Sequence, residues 1–168
     1  QTVMATFTAR CLLVSHTVIV AYSSVPSVSI VMPTRGRPEF ALHSLYLISR
    51  MERVDRILEV VVVDDSPPEL RLNDSACYAA SEGTMAVRLI PLEKPCSVGH
   101  KRNLAMQYVH GDVIMHHDDD DLYAKQRLTV QLAPFAKSEA DIVVLKHGWT
   151  YFIADNALFT IGKLGGSW

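Results

Sequence analysis

The chain has 168 residues, 49% of them hydrophobic and 20% charged, enough for one domain with its own core. A formal net charge of -2 gives no general polyanion-binding surface, so nucleic acid is not expected as a partner. Three widely spaced cysteines, Cys11, Cys77 and Cys96, form neither a disulfide framework nor a zinc pattern and fit a reducing compartment.

Residues 1–26 show no helical or strand period and read as a leader or an extra strand ahead of the domain proper, residues 27–168. Arg10 and the apolar stretch Cys11 to Ala21 have a faint signal-peptide outline, which Ser15-His16-Thr17 interrupts. No stretch reaches the roughly 18 to 20 consecutive apolar residues of a membrane span. The domain is therefore expected on the cytoplasmic side, with membrane association of a longer protein left open.

Ser27 to Met32 is a β-branched run closed by Pro33 and reads as a buried strand. Thr34 to Arg37 is a turn, and Pro38 suits the first turn of a helix, where its missing N–H is not needed. Ala41, Leu45 and Ile48 share one face of that helix, with Leu42 beside them. Ile57 to Val63 is the clearest strand, apolar without interruption as in a parallel sheet buried on both faces, and it ends in Asp64-Asp65-Ser66. Pro67-Pro68-Glu69 opens a short helix or an irregular segment, and Val87 to Leu92, carrying Pro91, reads as a strand at an edge or a bulge.

After a loop at Cys96 to Gly99, residues 100–110 read as a helix with Leu104, Ala105 and Tyr108 inward and Gly111 as its C-terminal cap. Asp112 to His117 reads as the fourth strand, residues 123–137 as a helix burying Leu128, Leu132 and Phe135, and Ile142 to Leu145 as a fifth strand. A hairpin is expected between Trp149–Ile153 and Ala157–Ile161, turning at Asp155-Asn156. Alternation of strand and helix from 27 to 145 predicts an α/β three-layer sandwich with a mainly parallel sheet.

Such sheets bind ligands outside the carboxyl ends of their strands, and the chemistry-bearing residues fall there. Pro33, Thr34 and Arg35 follow the first strand, Asp64 and Asp65 the second, and Asp118, Asp119, Asp120 and Asp121 the fourth. Four successive carboxylates at a strand end call for counter-charge: a like-charged pair at ~4 Å costs about 1 kcal/mol in water and about 4 near a protein surface. All-oxygen ligands suit Mg²⁺ or Mn²⁺, although an acidic turn capping the next helix has the same composition. Asp64-Asp65 either caps a following helix or accepts hydrogen bonds from a nucleoside. Lys101 and Arg102, just inside a helix N-terminus with free N–H groups, suit an anion. Arg35 and Arg37 flank Gly36 and suit either a pyrophosphate or solvent. His116 and His117 alternate across a strand, so both cannot face one metal, and a packed or hydrogen-bonded role is expected for them.

Together the segments VSIVMPTRGRPEF, ILEVVVVDDS and SVGHKRNLAMQYVHGDVIMHHDDDDLY resemble the family 2 inverting glycosyltransferases of the GT-A fold, over roughly residues 27–145. The resemblance implies a nucleotide-diphosphate sugar, a UDP-sugar by preference, as donor and Mn²⁺ or Mg²⁺ as cofactor. It places Pro33, Thr34, Asp64 and Asp65 at the nucleotide, Arg102 near the base or phosphates, Asp118 at the ribose and Asp120 at the metal, with Asp119 or Asp121 assisting. Arg35, Lys101 and Asp119 complete the expected nucleotide-sugar set, and Asp118 and Asp121 stand with Asp120 as the expected metal ligands. The turn departs from the family in reading Thr-Arg-Gly-Arg. The acceptor and the general base find no counterpart and are expected beyond Trp168, with Gly165-Gly166-Ser167 resembling the start of an acceptor-side half. Two other readings remain open: a nucleotidyltransferase of similar architecture, disfavoured by the short loop after the first strand, and a nucleotide-binding module without turnover. A phosphoacceptor domain is suggested by Asp64-Asp65 and opposed by the four-Asp run.

Overall fold

The computed structural model describes residues 12–14, 17–19, 25–145, 149–152 and 155–160. Strands β1 (Leu12–Val14) and β2 (Thr17–Ile19) pair antiparallel as a separate two-stranded sheet. The domain is built on four parallel strands, β3 (Val28–Thr34), β4 (Ile57–Asp64), β5 (Ala86–Pro91) and β6 (Val113–His116), in the order β5-β4-β3-β6.

Helices α1 (Pro38–Ser49), α2 (Asp74–Ala80), α3 (Val98–Ala105) and α4 (Arg127–Ala136) cover the two faces of this sheet. Val28, Ile30, Met32, Val60 and Val62 point to one face, where they pack with Ala41, Leu45 and Ile48 of α1, Cys77 of α2, and Leu128 and Leu132 of α4. Val31, Val61 and Val63 point to the other, against Ala105 with Leu104 and Tyr108. The alternation of side chains along each strand makes this three-layer arrangement possible. Each fully buried Val, Leu or Ile is worth about 1.5–3 kcal/mol relative to exposure.

Several boundaries differ from expectation. Pro33 lies inside β3 rather than ending it. The Val31 carbonyl accepts from His117 N, so Pro33, two residues on, turns its missing donor toward the same side, where the ladder with β6 has already stopped. Where a short helix or an irregular segment was expected from Pro67, the chain makes a single 3-10 turn at Pro68–Leu70 and then α2, capped by Asn73, whose side chain accepts from Ala76 N at 2.9 Å. Helix α3 ends at Ala105, not near 110, and Gly111 is not its cap. A Cβ on Gly111 would stand 2.5 Å from Ser29 N, so this residue is a point of close approach to β3.

Helix α4 begins at Arg127 rather than 123. The fifth strand expected at Ile142 to Leu145 does not form: Ile142 and Val144 are 81% and 76% exposed and pair with no strand among the described residues. A β-branched run becomes a strand only where a neighbour accepts its backbone. The hairpin does form, as β7 (Trp149–Phe152) and β8 (Ala157–Thr160), with Asn156 at φ 47° in its turn. Ile153 and Ile161, the expected ends of its strands, lie outside the described residues, as does the segment 161–168.

Candidate active site at the carboxyl edge of the sheet

The chain runs outward from β3 through β4 to β5, then returns to place β6 on the other side of β3. The reversal falls between β3 and β6, and open parallel sheets usually place a ligand at the carboxyl ends of the strands at such a point. Thr34 closes β3 there, Asp64 closes β4, and His116 closes β6 and delivers the acidic turn.

The two carboxylates after β4 do different work. Asp64 faces its own loop: Oδ1 accepts from Ser66 N at 2.9 Å and from the Ser66 hydroxyl, and Oδ2 accepts from Leu72 N at 3.0 Å. It therefore shapes the loop and offers no free face to a ligand. Asp65 is equally buried, but it gathers neighbouring elements: Oδ1 accepts from Lys101 Nζ of α3, and Oδ2 from Cys96 N at 2.8 Å. Arg35 Nη1 stands 3.9 Å away and half exposed. Burial alone pushes the Asp65 carboxyl up, but the hydrogen bonds from Lys101 and Cys96 N and the charges of Lys101 and Arg35 outweigh it and hold the group below its ordinary value.

Lys101 is 3% exposed and also donates to the Thr34 carbonyl at 2.8 Å. It is a buried strut between β3, β4 and α3, not a cation presented at the helix N-terminus. That N-terminus is capped by Ser97, whose hydroxyl accepts from His100 N at 3.2 Å. Gly36, at φ 67°, donates its N–H to the Ser66 hydroxyl at 2.7 Å and so ties the loop after β3 to the loop after β4.

The acidic turn is compensated mainly by arginine. Asp118 Oδ1 accepts from Arg102 Nη2 at 2.7 Å. Asp119, its side chain 1% exposed, accepts from the Thr34 hydroxyl at 2.6 Å and from two nitrogens of Arg37, Nη2 at 2.6 Å and Nε at 3.2 Å. The third nitrogen of Arg37, Nη1, donates to Asp120 Oδ2 at 2.9 Å. Burial tends to lower the Arg37 pKa, but Asp119 and Asp120 outweigh it and raise it. Asp121 accepts from the Tyr123 hydroxyl at 2.7 Å, and burial together with that carboxylate pushes the phenol up to about 12.

Below the turn His117 is buried between α1 and α4. Arg127 Nη1 can only donate, so His117 Nδ1 accepts from it at 2.7 Å, and Nε2 carries the proton toward the Ser44 hydroxyl at 2.8 Å. Burial and the Arg127 charge hold this imidazole neutral, with its pKa lowered to about 3. Arg127 also donates to the His116 carbonyl at 2.7 Å and lies 3.5 Å over the Tyr123 ring. His117 thus has the hydrogen-bonded role expected of it.

Among the described residues no three His, Cys, Asp or Glu side chains converge into a metal-holding cluster, so Asp118, Asp120 and Asp121 are not gathered as the three expected ligands. Asp121 is drawn off to Tyr123. Asp118 and Asp120, 41% and 45% exposed, each engage one oxygen with an arginine and leave the other without a donor among the described residues. Hard, half-exposed oxygens of this kind fit Mg²⁺ or Mn²⁺, which is commonly held by one or two carboxylates plus phosphates and waters. The sequence reading undervalued Arg37. The available signal was charge: a run of four carboxylates needs cations close by, and Arg37 opens α1 on the adjacent strand's loop.

The model of the family "glycosyl transferase family 2" matches residues 29–152. The chain belongs to that family. Similar solved structures share the fold of this family 2 domain. The mannosyltransferase PcManGT from Pyrobaculum calidifontis, solved with GDP-Man and Mn²⁺, is 25% identical with a TM-score of 0.54, over 63% of this chain and 31% of its own. S. aureus TarS is 22% identical with a TM-score of 0.61, over 73% of this chain and 22% of its own. A TarS 1-349 structure in complex with UDP-GlcNAc is 21% identical with a TM-score of 0.54, over 66% and 31%. The family 2 domain described here therefore spans about a third or less of the length of these structures. Among curated proteins no sequence match is found.

Proposed function

We propose that this family 2 domain is the donor-binding part of a metal-dependent, inverting glycosyltransferase that takes a nucleotide-diphosphate sugar, a UDP-sugar by preference. The observation that carries this reading is the convergence of Thr34, Asp65, Lys101, Arg102 and the Asp118–Asp121 turn at the carboxyl edge of one parallel sheet. The solved structures with GDP-Man and Mn²⁺, and with UDP-GlcNAc, support the donor class.

In this reading Asp65 and Lys101, both buried, fix the Cys96 loop beside the nucleoside, with Pro33 and Thr34 as the floor of the site and Asp64 shaping its wall. Asp118 meets the ribose, Arg35 and Arg102 face the diphosphate, and Asp120 with Asp118 holds Mn²⁺ or Mg²⁺. The cation would supply charge neutralisation of the departing diphosphate during direct displacement at the anomeric carbon. Asp119 and Asp121 hold the turn rather than the ion.

The test is calorimetry of UDP and GDP binding with Mn²⁺, with Mg²⁺ and in EDTA. Tight UDP binding only with metal is expected, lost in Asp120→Ala. Equal affinity in EDTA refutes the metal role, and tighter GDP binding reverses the donor preference. Glycosyl transfer by the chain, assayed over a panel of nucleotide sugars and acceptors, is expected to stop at slow donor hydrolysis. General-base assistance alone is worth roughly 10² to 10⁴ in rate, and no carboxylate here is assigned to it.

A further inference from the structure

Among the described residues Arg37 is the one side chain that bonds two members of the acidic turn, and it treats them unequally. Asp119 has its side chain 1% exposed and is held by two guanidinium nitrogens together with the Thr34 hydroxyl. Asp120 is 45% exposed and is held by the single remaining nitrogen, Nη1. The guanidinium is braced on its other side, 5.7 Å from the Phe40 ring centroid, at the start of α1. A planar fork cannot follow one partner without leaving the other. The bond to Asp119 is the harder to break, because a buried carboxylate left without its partner costs far more than an exposed one. The bond to Asp120 is the one that yields.

We propose that Arg37 is a positioning residue with a divided fork: its Nε and Nη2 anchor the acidic turn through Asp119, while its Nη1 stands in at Asp120 for a divalent cation and is displaced when that cation binds. The proposal rests on the reading of Asp120 as a metal ligand. Asp119, the most buried carboxylate of the run, is thereby the anchor of the metal site and not one of its ligands. The exchangeable arm also limits the repulsion between Asp120 and its neighbours while no cation is bound.

The experiment titrates Mn²⁺ into the chain with saturating UDP, by calorimetry, for the unaltered protein, Arg37→Lys and Asp120→Ala. Lysine is a single point charge, and the buried Asp119 retains it, so Asp120 loses its competitor. Mn²⁺ should bind Arg37→Lys about two- to fivefold more tightly, the scale of releasing one half-exposed ion pair. Weaker or unchanged binding overturns the proposal, because an arginine acting only as a brace would lower the affinity when replaced.

A second measurement needs no variant. In ¹⁵N spectra of the arginine side chains, saturating Mg²⁺ and UDP should free the Arg37 Nη1 group while its Nε–H stays protected. Protection of both, or loss of both, overturns the divided fork. Asp120→Ala separates the two levels: undiminished Mn²⁺ binding in that variant removes the metal assignment itself, whereas lost binding there with no gain in Arg37→Lys refutes only the role of Arg37.

Discussion

The sheet carries a buried carboxylate near each of its ends, and the two are built differently. At the carboxyl edge Asp65 pairs with Lys101 and Cys96 N, and around it stand charged groups with unfilled capacity: Arg35, Arg102, Asp118 and Asp120. At the amino edge Glu59 accepts from the Ser29 hydroxyl at 2.9 Å, from His110 N at 2.8 Å and at 3.0 Å from the His110 ring, with Arg88 3.8 Å away. Ser29 Oγ in turn accepts from Gly111 N at 2.8 Å, so this cluster locks the connection between α3 and β6 onto the sheet. Burial pushes the Glu59 carboxyl up, and these hydrogen bonds outweigh it and hold it below its ordinary value, as their counterparts do at Asp65. A buried, perturbed carboxylate therefore does not by itself mark a site. Each end also has a half-exposed arginine near its carboxylate, Arg35 or Arg88; what distinguishes the carboxyl edge is the second set of half-exposed charges there, Asp118 and Asp120 with Arg102.

The largest effect that would sharpen this contrast is expected from Asp65→Ala. It leaves the Lys101 ammonium buried with only the Thr34 carbonyl, and stability should fall by about 3–5 kcal/mol in urea unfolding. Binding of UDP and of uridine should weaken together, because the Cys96 loop loses its anchor. Unchanged uridine binding would remove Asp65 from the nucleoside side of the site.

Glu59→Gln should cost less, about 1–3 kcal/mol, since the amide keeps the shape but not the charge. UDP affinity should stay as it was; a loss comparable to that of Asp65→Ala would break the distinction between the two ends. The same variant tests pH dependence. A carboxylate whose folded pKa is depressed stabilises the protein above its ordinary value of 4.5, and the contribution disappears as pH falls through the lower folded value. Urea midpoints below pH 4.5 should therefore fall less steeply for Glu59→Gln than for the unaltered chain.

Gly111→Ala should destabilise by about 1–3 kcal/mol, because its Cβ meets the backbone of Val28 and Ser29 rather than a side chain that can turn away. Thermal unfolding equal to that of the parent would show that β3 and the α3–β6 connection can separate freely. The smallest effect belongs to Arg35→Ala. This half-exposed arginine should contribute about 0.2–1 kcal/mol to UDP binding and nothing to uridine. A larger loss, or one shared by uridine, would move Arg35 from the diphosphate to the nucleoside.

The alternation of elements, the inward face of α1, the continuous apolar run of β4 and the edge position of β5 were legible in the sequence, because each depends on local period or on a proline. So was the gathering of polar residues at the carboxyl edge, since strand ends inherit their polarity from the residues that follow the apolar run. Ile142 to Leu145 read as a strand and is not one: pairing is decided by a neighbouring backbone, which no local pattern encodes. Residues Lys101 and Asp64 carried the right chemistry for a ligand but are turned into the fold, Lys101 onto Asp65 and the Thr34 carbonyl, Asp64 onto its own loop.

Asp118 to Asp121 differ in nothing but position in the chain. Contacts from other elements give them separate roles: Thr34 at the end of β3 and Arg37 at the start of α1 reach Asp119, Arg102 of α3 reaches Asp118 and Tyr123 reaches Asp121, while Asp118 and Asp120 stay half in solvent. Sequence determines which residues can be charged and where a strand must end. Which of those charges meets an opposite one inside the protein is set by contacts between residues distant along the chain, 36 apart for Asp65 and Lys101 and 82 apart for Arg37 and Asp119, and such contacts exist only once the sheet has assembled.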